Sequence, residues 1–139
     1  YGLIGYNANA VEPGKRMLSS MTPTFLESNK GFVILGTPGG SRIISMILLA
    51  ALEWIDGGNA KSMVSLPRFH HQYHPDYVLY EEEAFMPNEI NELESMGHIL
   101  KKSNRQFGNM QIIMWDHKNN KIEIASDPRG KEKSREEIY

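Results

Sequence analysis

Apolar and polar positions change period several times along the chain, and each change marks an element. Residues 22–27 and 32–36 are short β-branched and apolar runs separated by Ser28-Asn29-Lys30-Gly31, the turn chemistry of a hairpin. The second run, Phe32-Val33-Ile34-Leu35-Gly36, is apolar enough for a central strand. From Ser41 the period lengthens: Ile44, Ile47, Leu48, Ala51 and Ile55 recur at helical spacing, with Ser41 placed as N-cap and Gly57-Gly58 as the stop. Asn59 is placed to cap a short helix running to Ser65, which Pro67 ends, and residues 87–96 predict a polar-faced helix closed by Gly97. Residues 77–80, 99–101, 111–115 and 121–125 read as strands, the last two joined through 116–120 as a second hairpin.

Hairpins on both sides of a long helix predict an α+β domain with sheet layered on helix, rather than a regular βαβ alternation. Residues 1–16 are rich in Gly, Asn and Pro and predict an irregular entry segment. Residues 130–139 form a charged tail without an apolar stripe and are expected to fray. A chain of 139 residues, 40% hydrophobic, sustains one core and one domain. Fifteen basic and 17 acidic residues leave a net charge of -2, without the basic field that nucleic acid or an anionic membrane would require. Absence of cysteine excludes disulfides, thiolate metal sites and a cysteine nucleophile. The apolar run 43–55 is too short to span a bilayer. The chain opens on Tyr1 without a signal-peptide pattern, so a larger precursor or a fragment is expected.

The candidate chemistry lies on two loops. Thr37-Pro38-Gly39-Gly40 joins the apolar strand to the helix, and free amides at a helix start suit an anion or an oxyanion. Two consecutive glycines let the backbone approach a ligand closely, although they serve equally well as a plain turn. Ser19 and Ser20 offer two neighbouring hydroxyls for a carboxylate; the other reading is a polar loop with a local cap. Lys15 and Arg16, just before them, would raise the local potential. His70, His71 and His74 lie between Pro67 and Pro75 without a HExxH pattern, which predicts a packing loop and no metal. Glu81-Glu82-Glu83 is expected to be a solvated face, and Met46, Met63, Met86, Met96 and Met110 to fill the core.

Four blocks, Pro13-Gly14-Lys15-Arg16-Met17-Leu18-Ser19-Ser20-Met21-Thr22-Pro23, Gly36-Thr37-Pro38-Gly39-Gly40-Ser41-Arg42-Ile43-Ile44, Pro67-Arg68-Phe69-His70 and Ser126-Asp127-Pro128-Arg129, together resemble the small subunit of γ-glutamyltranspeptidase. The resemblance implies an N-terminal-nucleophile hydrolase, an αββα sandwich of which this chain holds part of the sheet and helix layers. It implies a precursor that cuts itself into large and small subunits, the small one starting with a threonine that attacks the γ-glutamyl carbonyl. By resemblance Ser19 and Ser20 bind the glutamyl α-carboxylate, and Gly39 and Gly40 form the oxyanion hole. Arg42 and Arg68 are possible second-layer residues, and Arg68 and Asp127 are structural first. The implied partners are a γ-glutamyl substrate such as glutathione, the large subunit and the N-terminal part of the small subunit; no cofactor is implied. Family members are typically periplasmic, secreted or on the outer membrane face. The stretch holding the catalytic threonine is missing from these residues, so the 139-residue chain alone is expected to be inactive. A related acylase, a capsule polyglutamate depolymerase and a non-catalytic carboxylate-binding module are the other readings.

Overall fold

A computed structural model describes residues 7–134. A single 3-10 turn, Asn7–Asn9, interrupts an otherwise irregular approach to β1 (Thr24–Ser28), which turns back into β2 (Gly31–Gly36). A 3-10 turn at Gly40–Arg42 leads into α1 (Ile43–Ile55), followed by α2 (Ala60–Ser65), β3 (Phe69–His70), β4 (Val78–Tyr80) and α3 (Pro87–Ser95). Strands β5 (Leu100–Lys102), β6 (Gln111–Asp116) and β7 (Lys121–Ser126) complete the order.

Two sheets result. The first is antiparallel, in the order β1-β2-β6-β7, and contains both hairpins expected from the turn residues. Its register puts Val33 beside Leu26 and Met114, and Leu35 beside Ile112, on the face that packs against the helices. Met46, Ile47, Ala50, Met63 and Val64 close the core from α1 and α2. On the opposite face Phe25, Ile34 and Ile113 lie in one row and Phe32, Trp115 and Ile122 in the next. Five of those six, all but Phe32, are exposed, so this sheet is apolar on both sides. The second sheet, β3-β4-β5, combines an antiparallel and a parallel pair.

Asn59 caps α2 as expected: its side chain accepts from the Ser62 amide at 2.9 Å, and Ser62 Oγ accepts from the Asn59 amide at 3.0 Å. Ser41 is not the cap of α1. It sits inside the 3-10 turn, and the position before α1 is Arg42, already helical and without a side-chain cap, because the Ile43 amide bonds the Gly40 carbonyl instead. The segment assigned to a packing loop contains β3, a two-residue strand that pairs with β4. Met46, Met63 and Met110 are buried, whereas Met86 and Met96 flank the polar helix α3 and are exposed. A nine-residue helix without one buried residue gives those two methionines no core to fill.

Candidate functional site

The site begins where the central strand ends. Strand β2 delivers the chain into Thr37-Pro38-Gly39-Gly40, and Gly39 adopts φ 154 and Gly40 φ 61. Both values favour glycine, and a Cβ on Gly39 would also lie 2.5 Å from the terminal methyl of the buried Met46. The carbonyls of the pair are occupied: the Arg42 amide donates to the Gly39 oxygen at 3.3 Å, and the Ile43 amide to the Gly40 oxygen. Neither glycine amide is taken up by an acceptor among the described residues, which leaves two donors at the start of a helical turn.

The serine pair comes to the same place. Ser20 Oγ donates to the Gly40 carbonyl at 2.6 Å across 20 residues of sequence. Ser19 Oγ accepts from the Met21 amide at 3.2 Å, which leaves its own proton available to an incoming acceptor. The two hydroxyls therefore differ: Ser19 is exposed and ready to donate, while Ser20 is half-buried and braces the glycine turn. Thr22 Oγ1 in turn donates to the Ser20 carbonyl at 3.0 Å, fixing the loop from behind. Thr37 Oγ1 accepts from the Asn109 amide at 3.1 Å and so ties the turn to the segment preceding β6.

A cleft of about 460 Å³ opens beside the glycines, lined by Arg42, Arg105, Gln106, Phe107 and their neighbours. The Arg42 guanidinium lies 4.9 Å from the centre of the Phe107 ring, a cation-π stack. Phe107 is itself held at both backbone groups. Its amide donates to Glu81 at 2.8 Å and its carbonyl accepts from Arg68 Nη1 at 2.5 Å.

Those two partners belong to a buried cluster of two arginines and two carboxylates. Arg68 pairs with Asp127 at 2.5 Å; Arg129 pairs with Glu81 at 2.5 Å and with Asp127 at 3.1 Å. The remaining hydrogens go to the carbonyls of Val64 and Leu66, and only Arg68 Nε among the buried side-chain atoms described has no partner. Asp127 and Arg68 are thus bound to each other inside this cluster, and Arg68 reaches the cleft through the Phe107 carbonyl. The solvated reading of Glu81-Glu82-Glu83 is corrected at its first residue. Glu81 is 3% exposed, because its carboxylate meets a guanidinium and the Arg68 and Phe107 amides at once; Glu82 remains on the surface with Lys102. No local signal distinguishes Glu81 from its neighbours.

Burial would raise the Asp127 pKa, yet the Met110 and Arg129 amides and the Arg68 guanidinium outweigh it and hold the carboxyl below its ordinary value. A depressed folded-state pKa makes Asp127 stabilising above its unfolded value near 3.8, and that contribution is lost as pH falls through the folded value. Urea midpoints measured from pH 6 down to pH 2 are expected to fall below about pH 4, and Asp127→Asn to flatten that decline.

His70 is buried: Nε2 donates to the Gln72 side-chain oxygen at 2.8 Å, so Nδ1 accepts from Ser45 Oγ at 2.8 Å. Burial lowers its pKa, and the nearby Arg42 and His71 act in the same direction. His71 faces Asp76 instead, and no group of three or more metal-ligating side chains occurs among the described residues. No described helix is long and apolar enough to cross a membrane.

A family model described as gamma-glutamyltranspeptidase matches residues 2–136. The glutathione hydrolase proenzyme of Escherichia coli K12 is 43% identical over 133 residues, 93% of this chain and 22% of that protein. Its counterpart in Pseudomonas aeruginosa is 39% identical over 135 residues, 94% of this chain and 24% of that protein. The structure of gamma-glutamyltranspeptidase from Pseudomonas nitroreducens complexed with L-DON superposes with TM-score 0.83 at 36% identity, covering 99% of this chain and 72% of that one. The mixed α and β architecture is therefore that of the N-terminal-nucleophile hydrolases, and the chain spans less than a quarter of the length of these two proenzymes. With matches over nearly its whole length, the chain belongs to the γ-glutamyltranspeptidase family.

Proposed function

We propose that these residues form the carboxylate- and oxyanion-binding wall of an enzyme that transfers or hydrolyses the γ-glutamyl group of glutathione and related amides. The observation that carries this reading is the Ser20 to Gly40 hydrogen bond, which sets the serine pair against the glycine turn. Ser19 donates its free hydroxyl proton to the glutamyl α-carboxylate, and Ser20 joins it when its own proton swings from the Gly40 carbonyl. The Gly39 and Gly40 amides receive the oxygen of the γ-carbonyl as it becomes an anion.

The nucleophile is a threonine hydroxyl supplied from outside these 139 residues. Its proton passes to a base and then to the departing amine; the C–N bond breaks, and a γ-glutamyl ester remains for water or another amine to resolve. The exposed apolar face of the β1-β2-β6-β7 sheet is where the rest of the protein, including the large subunit, lays its own sheet to complete the sandwich. No metal or organic cofactor enters the scheme.

Steady-state kinetics of the full-length parent on a γ-glutamyl anilide test this division of labour. Ser19→Ala is expected to raise KM about tenfold or more, the worth of a hydrogen bond to a charged group, with kcat little changed. Ser20→Ala is expected to raise KM and lower kcat together, because the brace on Gly40 goes with it. No turnover by the parent, or an unchanged KM in the double variant, would remove the basis for the assignment.

A further inference from the structure

We propose that Arg42 and Arg105 make the cleft beside Gly39 and Gly40 a receptor for a carboxylate on the departing or accepting amine, so that peptides with a free C-terminus are preferred over neutral amides. The inference rests on the γ-glutamyl reading above and adds a specificity to it. The ion pairs of the described arginines explain where the charge is free. Arg68 and Arg129 are consumed by Asp127 and Glu81, whereas neither Arg42 nor Arg105 pairs with a carboxylate among the described residues. Both line the same cleft as the two glycines. Two uncompensated guanidinium groups in one concave site favour an anionic occupant, and guanidinium matches the two oxygens of a carboxylate.

The cleft is also prepared for that occupant. Arg42 is stacked on Phe107, and Phe107 is fixed by Glu81 and Arg68, so this charge is presented from a rigid platform rather than a free surface chain. Gln106, on the same wall, adds neutral donor and acceptor groups. Ser19 and Ser20 do not line the cleft: Ser20 meets Gly40 at its carbonyl, so the α-carboxylate that the serines take is a separate anion. A dipeptide leaving group extends roughly 7 Å from the scissile carbonyl. The 460 Å³ space beside the glycines falls within the range of small-molecule sites.

The test compares kcat/KM of the mature full-length enzyme for glutathione and for its C-terminal amide, γ-glutamylcysteinylglycinamide, with a γ-glutamyl anilide as reference for each variant. The free acid is expected to be favoured about three- to tenfold at low salt, and the preference to shrink as ionic strength rises. Arg105→Glu, at an exposed position, is expected to erase or invert the preference. A ratio unmoved by Arg105→Glu overturns the inference while leaving the γ-glutamyl reading intact. An equal loss on glutathione, its amide and the anilide also overturns it, because the anion held would then be the glutamyl group itself. An enzyme that cleaves none of the three refutes the γ-glutamyl reading and this inference together.

Discussion

Gly39→Ala in the full-length enzyme is expected to lower kcat on a γ-glutamyl anilide by about 100- to 1000-fold, the usual loss when one oxyanion donor is misplaced. The cause is local. At φ 154 an L residue is strained, and the added methyl would meet the Met46 side chain at 2.5 Å in a core position that is 1% exposed. Relief requires the backbone dihedrals at Gly39 to shift, which rotates the Gly39–Gly40 peptide and turns the Gly40 amide away from the developing charge. Because the ground-state carbonyl makes weaker use of those donors, KM is expected to change far less than kcat. Gly57→Ala supplies the contrast. Gly57 also has a positive φ, 99, but open space surrounds its missing Cβ and it lies at the far end of α1, so stability falls with kcat unaltered. A normal kcat in Gly39→Ala with the fold intact by circular dichroism would remove these amides from the mechanism.

Glu81→Ala is expected to cost about 3–5 kcal/mol of stability, the range found when one partner of a buried ion pair is removed. Its carboxylate accepts from the Arg68 amide at 3.1 Å, the Phe107 amide at 2.8 Å and Arg129 at 2.5 Å. Deleting it leaves a guanidinium that is 6% exposed with Asp127, at 3.1 Å, as its remaining carboxylate, and strands two backbone donors. The double variant Glu81→Leu with Arg129→Met is expected to be less destabilised than the sum of its singles, since it removes both charges together. Urea denaturation of the four proteins in the cycle measures the coupling, and strictly additive losses would show that the pair is not energetically linked. Catalysis should suffer too: losing the Glu81 anchor frees the Phe107 wall of the cleft and lowers kcat/KM beyond any change in folded fraction.

Both predictions depend on contacts of different range, and that difference governs what could be read in advance. Hairpin β1-β2, helix α1, the Asn59 cap and hairpin β6-β7 follow from periodicity and turn residues within short windows, because backbone sterics and local hydrogen bonds act over a few residues. The Gly39-Gly40 turn was legible for the same reason: strand, paired glycines and helix are contiguous. Strand β3 was not, since two residues carry no period and pair only with a strand eight or more residues on.

By itself the sequence determined the α+β class, the order of its elements apart from β3, and the four blocks that mark its family, since these are properties of short windows and of residue identity. Only the tertiary structure decided that Ser20 touches Gly40, that Glu81 is buried while Glu82 is not, and that Arg68 and Arg129 are ion-paired while Arg42 and Arg105 have no carboxylate partner among the described residues. Arg68 and Asp127 lie 59 residues apart and Glu81 and Arg129 lie 48 apart. Which charge finds which partner across such separations is set by how the two sheets and the helices pack, and no local propensity encodes it.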